Sequence, residues 1–201
     1  MAVTAICAEA SADVRRGLRE IAQRLVDSAG PRSAADRAMA EAVTGFLDRI
    51  EARGSQPAVD GIIALPLLVH GASTGNPRPA APAAVAHMLW WVTARYLDDL
   101  TDTQERTDKG DSARGLLAVV GIACHLCGEV LDAACPEDPA RALHLRRELS
   151  SSWHSALSGQ LADLTADPTT ATGDEVLASY RGKTGAPYAM SAAMGDRKSV
   201  V

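Results

Sequence analysis

The chain has 201 residues, 47% of them hydrophobic but only 3% aromatic, and a formal net charge of −5. That length suits one domain with a substantial core. The acidic balance leaves no basic stripe to neutralise phosphates, which excludes a nucleic-acid binder. The abundance of alanine fits packed helices better than strands.

The N-terminal MAVTAICAEASADV has no basic n-region and no long apolar run, so no signal peptide is expected. A first helix is predicted over 13–28, with Val14, Leu18, Ile21 and Leu25 on one stripe and Gly30-Pro31 ending it. Ser33 caps a second, running to about Arg53, with Met39, Val43, Phe46, Leu47 and Ile50 inward. A short apolar helix over 61–70 is kinked or started by Pro66. Residues 71–82 (GASTGNPRPAAP) read as a loop, and a long helix follows from about Ala83 to Asp102. After a charged loop over 103–112 come an apolar helix over 113–134, a turn at 135–139, a helix over 139–163 and a loop over 167–172. A last helix runs from Asp174 to about Met194. No strand pattern persists and no repeat is found, so the class is an all-α bundle of about seven helices. The uncharged stretches are interrupted by Pro66 and Pro82 and fall short of a bilayer, so a cytoplasmic chain without a membrane span is expected.

The most informative stretch is Tyr96 to Asp102, YLDDLTD. On a helix Asp98 and Asp102 stand one turn apart on one face with Asp99 beside them, a like-charge spacing that destabilises an isolated helix. Such a cluster is either a solvated surface or a place for a cation. The fifteen residues from Ala80 to Ala94 carry no charged side chain apart from the titratable His87, which favours the cation. Cys124 and Cys127 form a lone CxxC without a second ligand pair, and with Cys135 they read as small core residues. The five histidines show no metal-ligand spacing.

Three separated motifs line up on successive helices. They are Asp98-Asp99-Leu100-Thr101-Asp102, Gly159-Gln160-Leu161-Ala162-Asp163-Leu164 and, after Tyr180, Lys183-Thr184-Gly185. In this order, and with gaps of about 60 and about 20 residues, they resemble the trans-isoprenyl diphosphate synthases of the polyprenyl synthetase family. Gly128-Glu129 is similar to that family's Gly-Asp position, and the resemblance covers residues 15–194. It implies an isoprenoid-synthase bundle over 1–195, a homodimer, and substrates that are an allylic prenyl diphosphate and isopentenyl diphosphate. It further implies Mg²⁺ held by Asp98, Asp99 and Asp102. Lys183 and Thr184 would act on the leaving pyrophosphate. Gln160 would stabilise the carbocation and Asp163 would position metal or water.

The chain also departs from the family. In Ser73 to Pro79, Arg78 and Pro79 match the basic loop that grips isopentenyl diphosphate, but Gly75-Asn76 replace its Lys-Arg pair. After the acidic turn, a family Arg pair is replaced by the single cations Arg106 and Lys109. Arg78, Arg106 and Lys109 are the substrate-binding candidates. The family's second Asp-rich motif is not reached, and DRKSVV (196–201) loses the helical pattern, so C-terminal helices are expected to be missing and the tail to be non-native. Ala94, Trp91 and Trp90 lie four, seven and eight residues before Asp98, so Ala94 opens a cavity that Trp90 floors about 12 Å down. A medium chain of three or four isoprene units follows. Two alternatives accompany the elongating enzyme: a cyclase or transferase to another acceptor, and a non-catalytic subunit or truncated fragment.

Overall fold

The apolar stripes close into helices around one central helix. The structure, a computed structural model, describes residues 3–28, 33–52, 57–102 and 109–196, with the side chains of 3–8, 57–61, 101–102 and 109–112 outside that description. The elements are α1 (Val3–Ser28), α2 (Ala34–Ala52), α3 (Pro57–Thr74), a 3₁₀ turn (Arg78–Ala80), α4 (Ala81–Asp102), α5 (Lys109–Gly121), α6 (Cys127–Ala134), α7 (Pro139–Thr165), α8 (Gly173–Tyr180) and α9 (Ala186–Gly195). Single π-helical turns, Ile122–Leu126 and Arg181–Gly185, join α5 to α6 and α8 to α9 without a break. Counted as continuous rods, these are seven helices, and the described residues contain no strand. The fold is all-α.

Helix α4 is the hub. Its alanine-rich first half is buried (Ala83, Ala84, Val85, Ala86, Met88, Leu89) and α1, α3, α5, α6 and α9 all pack on it. Small side chains let the neighbouring backbones approach, which is why few aromatic residues suffice to fill the core. The stripe Val14, Leu18, Ile21 of α1 and the stripe Met39, Val43, Leu47, Ile50 of α2 are buried as expected, with Leu25 and Phe46 partly buried against them.

Chain ends of the helices are set by local chemistry. Ser33 Oγ accepts from Asp36 N at 3.1 Å at the start of α2, as the sequence indicates. Asp138 accepts from Arg141 N at 3.0 Å, with Pro139 at the first helical position. Thr172 and Glu175 form a reciprocal capping box that fixes the start of α8. Gly75, at φ 78°, closes α3 by donating its N–H to Gly71 O at 2.8 Å.

Several boundaries differ from the sequence expectation. Helix α1 begins ten residues before Asp13, and α3 runs straight through Pro66 to Thr74, leaving only 75–77 as loop. Pro66 lies against α9: a methyl group at Gly195 would fall 2.7 Å from Pro66 Cα. The tight α3–α9 crossing holds the helix together where proline removes a donor. The segment 113–134, an apolar helix as expected, is 22 residues long and by length and composition alone could cross a membrane. Here Ile122, Leu126 and Leu131 of that segment are buried in the bundle core. Cys127 and Cys135 are core residues as expected, whereas Cys124 is exposed, because the π turn rotates it outward.

A buried polar cluster joins α4 to α9. The Trp91 indole, which can only donate, gives its N–H to His87 Nε2 at 3.0 Å, so the ring proton sits on Nδ1, 3.1 Å from Ser191 Oγ. Burial holds the His87 imidazole neutral and lowers its pKa to about 3. The unfolded chain binds this proton near pH 6.5 and the folded chain does not, so stability is full above pH 6.5 and is lost as pH falls toward 3. Urea midpoints measured across that window should drop steadily, and His87→Gln should remove that component of the slope. Parallel slopes in the two proteins would show that His87 is not the group responsible.

Candidate functional site

Where α4, α7 and the second π turn meet, a cavity of about 170 Å³ opens. Its polar end is made by Arg95, Asp98, Gln160, Lys183 and Thr184, the last four drawn one or two from each of the three sequence motifs. Its walls are carbon: Trp90 and Ala94 from α4 below Asp98, and Trp153, Ala156 and Leu157 from α7 below Gln160. The spacing 153, 156, 157, 160 is one helical face. That spacing is the signal that sequence reading passed over for Trp153.

The motifs converge because two glycines meet. At the crossing of α7 with the Arg181–Gly185 turn, Gly159 packs on Gly182 with no side chain between the backbones. A methyl group at Gly159 would fall 2.7 Å from Ser179 O and 2.8 Å from Gly182 C, and one at Gly182 would fall 2.7 Å from Ser155 O. Ser179 Oγ donates to Gly159 O at 3.0 Å in the same buried contact. The π turn adds one residue to the rod, and this turns Lys183 back toward α4. Its Nζ lies 3.0 Å from Asp98 Oδ1 and 3.0 Å from Asp163 Oδ2. Burial pulls the Lys183 pKa down, but the hydrogen bonds to Asp163 and Asp98 outweigh it and the net shift is upward. The ammonium is charged.

Arg95 Nη2 pairs with Asp99 at 2.8 Å and Nη1 stands 3.8 Å from Asp98, so the acidic turn is flanked by a cation on each side. Asp98 is the more enclosed carboxylate, 26% exposed against 48% for Asp99. Asp163 does not line the cavity and reaches it only through Lys183. Among the described residues no three His, Cys, Asp or Glu side chains gather as a metal site. Asp102 continues α4, but its carboxylate lies outside the described side chains, as does the Lys109 ammonium, and Arg106 lies outside the described residues.

Arg78 is not at this site. It sits before the first turn of α4, twenty residues from Asp98 and so roughly 30 Å along the helix. Its side chain is exposed, 4.0 Å from Glu9. The structure therefore does not bring Arg78 together with the side chains of the acidic turn. Gly128 and Glu129 are also elsewhere: Glu129 pairs with His125 at 3.2 Å, and Gly128 faces Arg146.

Trp90 is 1% exposed, and its ring stands 4.8 Å from that of Trp153. It lines the cavity. Neither indole N–H has a hydrogen-bond partner. Two further spaces adjoin the cavity. One, of about 230 Å³, lies behind Trp91 and Arg95 and adds Arg49, Phe46, Ile50 and Met88. The other, a groove of about 510 Å³, shares Leu97, Trp153 and Leu157 with the cavity. The chain matches no family model, no curated protein and no solved structure.

Proposed function

We propose that this chain is a Mg²⁺-dependent prenyltransferase with an isoprenoid-synthase type of bundle, ionising an allylic diphosphate and joining it to isopentenyl diphosphate. The observation that carries the reading is the meeting of Asp98, Gln160, Lys183 and Thr184, from three helices, at the mouth of one carbon-walled cavity. Such a site suits a ligand with a charged head and an apolar body.

The donor set fits a hard cation, since the Lys183 ammonium already sits between carboxylate oxygens of Asp98 and Asp163, at 3.0 Å from each. Asp98 and Asp102 would hold Mg²⁺ from one face of α4, with Asp99 adding charge. The ion, when bound, neutralises the leaving diphosphate. Lys183 stays charged and offers its donors to the departing pyrophosphate, with Thr184 beside it. The rings of Trp90, Trp91 and Trp153 face the space where the allylic cation forms and stabilise it through their π faces, while the apolar walls keep water from quenching it. The space behind Trp91 adjoins the cavity and carries Arg49 beside the Arg95–Asp99 pair, so Arg49 would be the cation that an acceptor diphosphate meets there. A homodimer would bury the exposed Leu116 and Leu117 of α5.

The position of Arg78 favours a second reading, in which ionisation is kept and the acceptor is not isopentenyl diphosphate. Incubation with geranyl or farnesyl diphosphate and Mg²⁺, with and without isopentenyl diphosphate, separates the two. Elongated diphosphates are the expected products. Hydrocarbons or alcohols would support the second reading, and absence of pyrophosphate release under every condition would defeat both in favour of a non-catalytic chain.

A further inference from the structure

We infer that the apolar tail of the bound ligand leaves the central cavity sideways, between Leu97, Trp153 and Leu157, and lies in the groove beside Cys124. This rests on the reading of the Asp98–Lys183 end as the head site. Size forces the turn. A cavity of about 170 Å³, its polar end included, is close to the roughly 150 Å³ that holds a benzene molecule, so beside the head it takes no more than about one five-carbon unit. Straight extension is blocked by Trp90, which is buried and stacked on Trp153. The groove of about 510 Å³ is the larger space, and it shares three wall residues with the cavity.

The partition between the two is thin and yielding. Leu157 is 46% exposed, so it can swing without disturbing the core. Beyond it the groove is bounded by Val119, Val120, Ala123 and Leu149. Of its polar groups, Thr93 Oγ1 donates to Leu89 O at 3.2 Å, Arg146 is paired with Asp132, and Ser150 is exposed to solvent at the rim. A chain of carbon is therefore the occupant that loses least there. The polar groups of the central cavity fix the direction, head at Lys183 and tail toward the α5–α6 rod.

Cys124 provides a readout independent of turnover, because its thiol lines the groove and is exposed. Cys127 is an internal reference, since burial pushes its pKa up to about 12 and keeps it unreactive. Alkylation of Cys124 by N-ethylmaleimide, resolved by residue in mass spectra, is followed on the full chain with Mg²⁺. Farnesyl diphosphate at ten times its Kd should slow the reaction about tenfold. Dimethylallyl diphosphate should bind, seen as a change in tryptophan fluorescence, without slowing it. Farnesol, which has the tail but no head, should also protect at higher concentration. Ala123→Trp, at a position that lines the groove and not the central cavity, should weaken farnesyl diphosphate binding by about tenfold or more, the loss of a few buried methylenes, and leave dimethylallyl diphosphate unchanged. If farnesyl diphosphate binds and Cys124 reacts at its free rate, the sideways path is wrong. If farnesol protects and neither diphosphate binds, the path stands and the diphosphate head reading falls. If no fifteen-carbon compound protects, the path is overturned whatever else binds.

Discussion

Asp98→Asn is expected to slow pyrophosphate release from an allylic diphosphate by about 10²–10³-fold in saturating Mg²⁺, the loss typical of removing one preorganised electrostatic group. Asp98 is the carboxylate that both lines the cavity and holds Lys183 at 3.0 Å. The amide keeps the shape of the side chain but loses the charge that a cation and the Lys183 ammonium share. Asp99→Asn is the matched comparison. Asp99 does not line the central cavity and is paired at 2.8 Å with Arg95 on the half-exposed side of α4, so its removal should cost less than about tenfold. Both variants should melt close to the parent, because Lys183 keeps Asp163 and Arg95 keeps one acid. Equal effects for the two aspartates would mean that the turn acts only as diffuse negative charge. A parental rate for Asp98→Asn would remove the ionisation reading altogether.

The fold was legible to the extent that periodicity carries it. Every rod shows as an apolar stripe, and Ser33 shows as a cap, because these depend on residues three and four apart. The π turns at Ile122–Leu126 and Arg181–Gly185 did not show, since one inserted residue shifts the stripe without breaking it. The polar end of the cavity could be read from its motifs, but its carbon wall could not. Trp153 stands on a helix whose first turns are charged, and only its pairing with Trp90 across the bundle identifies it as a wall. Arg78 is a different case. Its substrate-binding role is implied by the resemblance alone, and the helix between it and the acidic turn sets a separation of roughly 30 Å.

Gly159→Ala should have the largest effect on stability. At this position the glycine is needed for close approach and not for backbone freedom, since the only positive φ in the described chain is at Gly75. The added methyl would fall 2.7 Å from Ser179 O and 2.8 Å from Gly182 C, with Lys183 N closer still, and all three are backbone atoms that no rotamer change can move. Relief requires α7 to separate from the Arg181–Gly185 turn, breaking the 3.0 Å bond from Ser179 to Gly159 O. Overpacking of this kind costs about 3 kcal/mol at the upper end of the usual range. For a chain of this size that lowers Tm by about 6–12 °C. Gly173→Ala is the counterpart: nothing lies within 4 Å of its new methyl, at the start of α8, so Tm should hold or rise slightly. The same separation carries Lys183 away from Asp98, so Gly159→Ala should lose pyrophosphate release at temperatures where it is still folded, and Gly173→Ala should not. A Gly159→Ala protein that melts with the parent would show that the two helices do not cross this closely. With that crossing gone, nothing would bring Lys183 to the acidic turn.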